Sequence, residues 1–151
     1  MMIGRAASFA LLLVCTHAGA TTVRPSPLSQ RVALSEWVVH AIVRQVDHQQ
    51  PFKTRYALEL IEVLRGNREA RTLEFTVPGG ISGGREMRVI GMPVLDEGAE
   101  VIVLLTRTPA GTLMFTGLGQ GVFVVQPEAD ELFKASRNSL LARLRALAAR
   151  P

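Results

Sequence analysis

Residues 100–106 read EVIVLLT, the most continuously apolar of the β-strands that the sequence predicts. A strand that is apolar on both faces is typical of the centre of a sheet whose two faces are covered. Residues 37–47 (WVVHAIVRQVD) are rich in β-branched side chains and too apolar on both faces for an exposed hairpin arm. These two stretches predict a sheet with a buried centre.

The remaining strands are shorter or less regular. In residues 55–64 the acidic side chains of Glu59 and Glu62 fall on opposite faces of a regular strand, which indicates a β-bulge or an outer segment near one end of the strand. Residues 72–77 alternate cleanly between apolar and polar positions. Three further strands are predicted at 86–90, 113–117 and 121–126. Loops and turns are predicted at 48–53, 65–67, 96–98 and 108–111.

The C-terminal residues change to helical periodicity. Over residues 136–149 the apolar positions occupy about a third of a helix circumference. These positions are Leu140, Leu141, Leu144, Leu147 and Ala148. Arg137 would interrupt this stripe unless Ser136 caps the helix and Arg137 is its first residue. A second, short helix is predicted over residues 30–34, capped by Ser29.

Together these elements predict a mainly-β fold: a small antiparallel barrel of six to seven short strands, with a C-terminal amphipathic helix packed on it. The length of 151 residues fits one domain. The predicted organisation is a signal peptide (1–20), an extended leader (21–28), the barrel domain (29–127) and the C-terminal helix (128–151).

The first twenty residues have the pattern of an export signal. The apolar run at residues 9–14 is far shorter than the ~20 residues that span a bilayer. Small residues then lead to a predicted cleavage site after Ala20. Lipid attachment at Cys15 is a minor alternative, because Val14 is a poor substitute for the small residue that lipoprotein processing needs. The mature protein is therefore predicted to be periplasmic or extracellular.

Composition removes several classes of function. Cleavage after Ala20 would leave 131 residues without cysteine, which excludes a disulfide scaffold, a zinc ribbon and a cysteine nucleophile. The net charge would be about +3, with arginines scattered along the chain and few aromatic side chains to stack on bases. We therefore predict no nucleic-acid partner.

A glycine-rich segment is the candidate interaction loop. Its members are Pro78, Gly79, Gly80, Ile81, Ser82, Gly83 and Gly84. Four glycines in six residues argue against a regular element. Residues 80–84 also match the letters of the G-x-S-x-G nucleophile elbow, but no helix opening follows Ser82. A catalytic histidine should follow the serine, whereas His40 and His48 precede it. The segment is therefore predicted to present a surface rather than a nucleophile.

Other candidate sites are weaker. Residues 117–121 (GLGQG) contain a glycine pattern like that of dinucleotide-binding loops, but they lead into a strand and favour a bulge or corner. His40 and His48 have no spacing typical of metal ligands. Asp96, Glu97 and Glu100 favour a solvated turn over a calcium site. No metal or other cofactor is predicted.

Several phrases, in order, resemble a domain family of secreted bacterial proteins of unknown function. They are WVVH (37–40), LIEVLRG (60–66), VPGG (77–80), GMP (91–93), EGAEVIVLL (97–105) and GQGVFVV (119–125). The strand order is also similar to the oligonucleotide/oligosaccharide-binding (OB) barrels of netrin-like and metalloproteinase-inhibitor domains, which implies an OB-like barrel. In those inhibitors an N-terminal cysteine amine reaches the target zinc. The mature chain would begin Thr21-Thr22, so that mechanism does not carry over, and the family supplies no catalytic residues.

Three hypotheses of function follow. The leading one is an exported, non-catalytic binding module for a protein partner, an exported peptidase being one candidate. The second is a small exported hydrolase or metal-dependent enzyme built on Ser82, His40 or His48. The third is an envelope-surface module whose C-terminal helix contacts anionic lipid or polysaccharide, although packing of that helix on the barrel is favoured.

Overall fold

The structure, a computed structural model, describes residues 25–125 and 131–150. The predicted signal peptide, the first half of the predicted leader (21–24) and the predicted barrel–helix boundary lie outside these ranges. In chain order the elements are α1 Leu28–Leu34, β1 Trp37–Gln49, β2 Lys53–Arg65, β3 Thr72–Pro78, β4 Gly80–Ser82, β5 Arg85–Met87, β6 Glu100–Arg107, β7 Leu113–Phe115, a 3₁₀ turn Leu118–Gly121, β8 Val122–Val125 and α2 Glu131–Ala148.

The main sheet is antiparallel and runs in the order β3-β2-β1-β6-β7, with β8 pairing with β6 beside β7. Strands β4 and β5 form a separate two-stranded hairpin. The mainly-β antiparallel prediction with a C-terminal helix is confirmed. The sheet is not closed by hydrogen bonds, since β3 and β7 are its two ends.

Aromatic packing holds the two ends of the sheet together instead. Phe75 of β3 and Phe115 of β7 have ring centroids 5.2 Å apart, nearly perpendicular to each other. The ring centroid of Tyr56, on β2, lies 5.5 Å from that of Phe75 and 6.2 Å from that of Phe115. Because residues from opposite ends of the sheet touch, the sheet curls round an enclosed interior. Edge-to-face rings are a favourable arrangement for this contact.

Strand β6 is central and covered on both faces, as predicted. It pairs with β1 along one side and with β7 and β8 along the other. Val101, Val103 and Leu105 point into the interior of the curled sheet, where they pack with Tyr56, Phe75, Phe115 and other buried side chains in one cluster, which we call the inner cluster. Ile102 and Leu104 point to the opposite, outer face. All five side chains have 0% exposure, which explains why this strand is apolar without interruption.

The two helices cover the outer face. Val32 of α1 and Leu141 and Leu144 of α2 pack there in the outer cluster. The full buried membership of that cluster is Val32, Val38, Leu64, Ile102, Leu104, Val125, Leu141 and Leu144. No helix among the described residues is both long and apolar enough to cross a membrane.

The predicted β-bulge is present in β2. The pairing of β1 with β2 passes from His40 opposite Glu62 to Ala41 opposite Leu60, so Ile61 has no direct partner. This extra residue shifts the alternation by one position. Glu62 then faces α2, where it pairs with Arg145 at 2.6 Å.

Both predicted N-caps, Ser29 and Ser136, are wrong. In α1 the N-cap is Pro27, and Arg31 N donates to Pro27 O, so Ser29 lies inside the helix. Helix α2 begins at Glu131, five residues before the predicted cap at Ser136. Arg137 is tolerated on the apolar side of α2 because its guanidinium reaches the carboxylate of Glu100.

The predicted loop at residues 48–53 is also shorter in the structure. Strand β1 continues to Gln49 and β2 begins at Lys53, so the connection is a tight turn containing a cis Gln50–Pro51 bond. The extension places His48 opposite Thr54 in the β1–β2 ladder. That pairing brings the side chains of His48 and Thr54 together at the end of the two strands.

Candidate functional site

A cleft of about 430 Å³ opens between the β4–β5 hairpin, the segment 88–94 and the ends of β1 and β2. We call it the hairpin cleft. It is lined by His48, Thr54, Tyr56, Val77, Pro78, Gly79, Gly80, Ile81, Glu86, Met87, Arg88, Val89, Ile90, Met92, Pro93 and Val94. Four of the seven predicted loop residues, 78–81, line this cleft.

The predicted loop is in fact half of a hairpin. Gly80–Ser82 pairs with Arg85–Met87, and the turn between them is Gly83-Gly84. Both turn glycines have positive φ, 56° and 72°. Two successive residues with positive φ match the type I′ turn that connects tight hairpins. Two of the four glycines that argued against a regular element, Gly83 and Gly84, are therefore those that the hairpin turn requires.

Gly80 allows the hairpin to approach the main sheet closely. A Cβ at this position would lie 2.4 Å from Thr54 Oγ1 and 2.9 Å from His48 Nδ1, and φ is +129°. Any side chain would therefore push β4 away from the ends of β1 and β2. Gly80 thus fixes the wall of the cleft that the hairpin provides.

A short hydrogen-bond chain occupies the polar end of the cleft. Thr54 Oγ1 donates to Gly79 O at 2.8 Å, and His48 Nδ1 lies 3.1 Å from the same hydroxyl oxygen. A hydroxyl has one proton to donate, so His48 Nδ1 must donate to Thr54. In the neutral ring Nε2 is then an acceptor. It has no protein partner among the described residues.

Most of the cleft is apolar and exposed. In the described part of the chain, seven large hydrophobic side chains are exposed, and four of them line this cleft. They are Ile81 (50%), Met87 (38%), Ile90 (94%) and Val94 (70%). A concentration of exposed apolar side chains in one concave place is typical of a binding surface.

Tyr56 lies where the cleft meets the inner cluster. Its hydroxyl accepts a hydrogen bond from Leu95 N at 3.4 Å. Burial raises the pKa of this hydroxyl, against the smaller opposing effect of the Leu95 hydrogen bond. The group is therefore neutral near pH 7, and it serves to hold residues 94–95 against the sheet.

The charged side chains at the cleft pair with each other. Arg88 Nε donates to Glu86 Oε1 at 2.6 Å on the exposed side of the hairpin. Arg85 lies on the same face of β5 as Met87, two residues away. It has no ion pair with any residue that the structure describes.

A second polar cluster lies under α2 on the outer face. His40 Nε2 is 2.6 Å from Glu100 Oε1, and Arg137 Nη1 donates to the same oxygen at 3.4 Å. His40 is 7% exposed. Three elements, β1, β6 and α2, are linked through one carboxylate. The arrangement gives the buried His40 a hydrogen-bond partner and holds α2 against the sheet.

The predicted acidic cluster does not come together. Glu100 faces His40 and Arg137, whereas Glu97 Oε1 accepts a hydrogen bond from Val46 N at 2.9 Å. Asp96 begins the turn in which Ala99 N donates to Asp96 O. Within residues 25–125 and 131–150 no group of three or more His, Cys, Asp or Glu side chains is placed to hold a metal ion.

The two other motifs have structural explanations. Ser82 is followed by the Gly83-Gly84 turn and β5, so the helix that a nucleophile elbow requires is not there. The described contacts do not join Ser82 to His40 or His48. At the GLGQG segment, a Cβ on Gly121 would lie 2.2 Å from Thr116 O. Only glycine fits where the chain returns from β7 to β8.

The sequence did not reveal the role of residues 88–94. Residues 86–90 were predicted as a strand, but β5 ends at Met87 and the following residues form an irregular wall of the cleft. The feature of the sequence that could have indicated this wall is a run of apolar side chains interrupted by Gly91 and Pro93, which do not favour a continuous β-ladder.

A scan of the chain against protein-family models finds no matching family, and a search among curated proteins finds no relative.

Proposed function

We propose that this protein is an exported, non-catalytic binding module whose hairpin cleft receives an apolar part of a protein partner. The observation that carries the proposal is the exposure of Ile81, Met87, Ile90 and Val94 in one concave place. Burying such side chains is worth about 25 cal/mol per Å² of apolar surface removed from water. The export part rests on the signal-peptide pattern of residues 1–20.

The polar groups of the cleft suit recognition. His48, Thr54 and Gly79 form a fixed hydrogen-bond chain, so the polar end keeps its shape when the cleft is empty. A mostly apolar cleft with a few oriented polar groups is the usual form of a binding site. An exported peptidase, suggested only by the resemblance to metalloproteinase-inhibitor barrels, is one candidate partner.

The observations give less support to the other two hypotheses. A hydrolase would need Ser82 near a base, and the described contacts place Ser82 at a hairpin turn and His40 under α2. An envelope-surface module would need the leucine stripe of α2, but Leu141 and Leu144 are buried against the sheet. Neither hypothesis has a feature comparable to the exposed cleft.

The proposal is tested by capture of exported host proteins on the purified chain. Ile90→Glu places a charge in the cleft, and Ile61→Glu places the same charge at an exposed position (51%) outside it. Both side chains are exposed, so both variants should fold, which circular dichroism checks. We expect the same partner on the parent and on Ile61→Glu and its loss on Ile90→Glu. A partner retained equally by all three proteins, or no retained partner, would refute the proposal.

A further inference from the structure

The outer edge of β5 borders the hairpin cleft and is unpaired. Strand β4 packs on the main sheet through Gly80, so β5 is the outer strand of the hairpin. Its three residues, Arg85–Met87, are all exposed, and β4 is the only strand that pairs with it among the described residues. An unpaired edge offers backbone N–H and C=O groups that an extended peptide can pair with.

The apolar part of the cleft lies beside this edge. Met87 is on β5 itself, and Ile90 and Val94 follow in the adjoining wall. In an extended peptide every second side chain points to the same face. A peptide paired with β5 would therefore present apolar side chains at alternate positions to the cleft, and the intervening ones to solvent.

The charged side chains on and next to β5 carry a net positive charge. Glu86 and Arg88 neutralise each other, whereas Arg85 has no carboxylate partner within the described residues. Arg85 shares its face of β5 with Met87, and Met87 lines the cleft. A carboxylate from the partner would complete this arrangement.

From these three observations we infer that the occupant of the hairpin cleft is an extended segment of the partner, with apolar side chains at alternate positions and an aspartate or glutamate beside Arg85. The segment pairs with the free edge of β5. This inference rests on the proposed function and specifies the chemistry of the partner.

The probe is a fluorescein-labelled synthetic hexapeptide with valine at alternate positions and aspartate at one end. A matched peptide carries lysine in place of the aspartate, and another carries N-methyl groups on its backbone. Binding to the full chain is measured by fluorescence anisotropy. The variant Arg85→Glu is compared with Arg68→Glu, an exposed arginine outside the cleft.

We expect the aspartate peptide to bind the parent about two- to fivefold more tightly than the lysine peptide, the range of an exposed ion pair. Arg85→Glu should reverse this order and Arg68→Glu should not. N-methylation should weaken binding at least tenfold, because strand pairing supplies most of the hydrogen bonds.

Different failures identify different errors. Equal binding of both peptides by the parent and by Arg85→Glu would overturn the role of Arg85. Unchanged binding after N-methylation would overturn pairing with β5. If no peptide binds while the captured partner still depends on Ile90, the extended-segment inference is wrong and the proposed function stands. A dimer in sedimentation that Ile90→Glu abolishes would show a second copy to be the occupant.

Discussion

Replacing Leu144 by alanine measures how much α2 contributes to the folded core. Leu144 has 0% exposure and lies in the outer cluster between α2 and the sheet. The substitution removes three carbon atoms, each worth about 0.8 kcal/mol of transfer free energy. The cavity left behind raises the cost of a Leu→Ala change to about 2–5 kcal/mol. We expect about 3 kcal/mol, since the sheet behind Leu144 is rigid and cannot collapse into the space.

The assay is urea unfolding followed by the fluorescence of Trp37, the single tryptophan, and by far-ultraviolet circular dichroism. In a thermal unfolding experiment, the same loss of about 3 kcal/mol lowers the melting temperature of a domain of this size by roughly 10 °C. Leu34→Ala is the matched control, because Leu34 ends α1 and is 60% exposed. Its effect should remain within about 0.5 kcal/mol.

The result that would refute this reasoning is equal stability of Leu144→Ala and Leu34→Ala. The apolar stripe of α2 would then contribute nothing to the core, and it would be free to contact another surface. Binding of the full chain to anionic vesicles would have to be measured in that case. A large loss for Leu144→Ala alone places the stripe in the core.

Three other predictions concern single positions. Gly66→Ala should destabilise the protein by about 1–3 kcal/mol and shift Trp37 emission, because φ is +117° and a Cβ would lie 2.5 Å from the indole. Hydrogen bonds from Arg145 lower the pKa of Glu62, so its ion pair stabilises the fold above the unfolded value near pH 4.3 and is lost as pH falls through the lower folded value. Glu62→Gln should therefore flatten the acid side of the stability–pH curve, measured by urea titration. Mass spectrometry of the protein isolated from its host should find a chain that begins after Ala20; an intact N-terminus would contradict cleavage there.

Strand positions could be predicted because the main sheet is buried at its centre on both faces. The uninterrupted apolar run of β6 follows from its place between β1 and the β7–β8 edge. The irregular spacing of Glu59 and Glu62 revealed the bulge at Ile61. In both cases a local sequence pattern reflected a single structural feature, so the sequence alone was enough to predict that feature.

Helix starts and the glycine hairpin could not be predicted in the same way. Arg137 conflicts with the apolar stripe only until its partner Glu100 is known, and that partner is 37 residues away in the chain. Gly83 and Gly84 are compatible with a disordered loop or with a type I′ turn. The pairing of β4 with β5 decides between the two, and tertiary contacts of Gly80 hold that pairing in place.

The hairpin cleft shows a different limit of prediction from the sequence. Hydrophobic periodicity identifies side chains that are buried within the chain, and Ile90 and Val94 are not. The apolar character of Ile90 contributed to the prediction of a strand over 86–90, whereas β5 ends at Met87. Residue type alone does not distinguish an apolar side chain that contacts another molecule from one that packs in the core.

The contrast between the two faces of the molecule supports the binding proposal. Under α2 the chain buries Leu144 and pairs Glu62 with Arg145 at 2.6 Å. At the hairpin it leaves Ile90 94% exposed and Arg85 without an ion pair in the described residues. Leu141 and Leu144 therefore show that this chain can cover apolar side chains with its own elements, whereas at the hairpin four large apolar side chains stay exposed together. The exposed cleft is therefore best explained by a contact that another molecule completes.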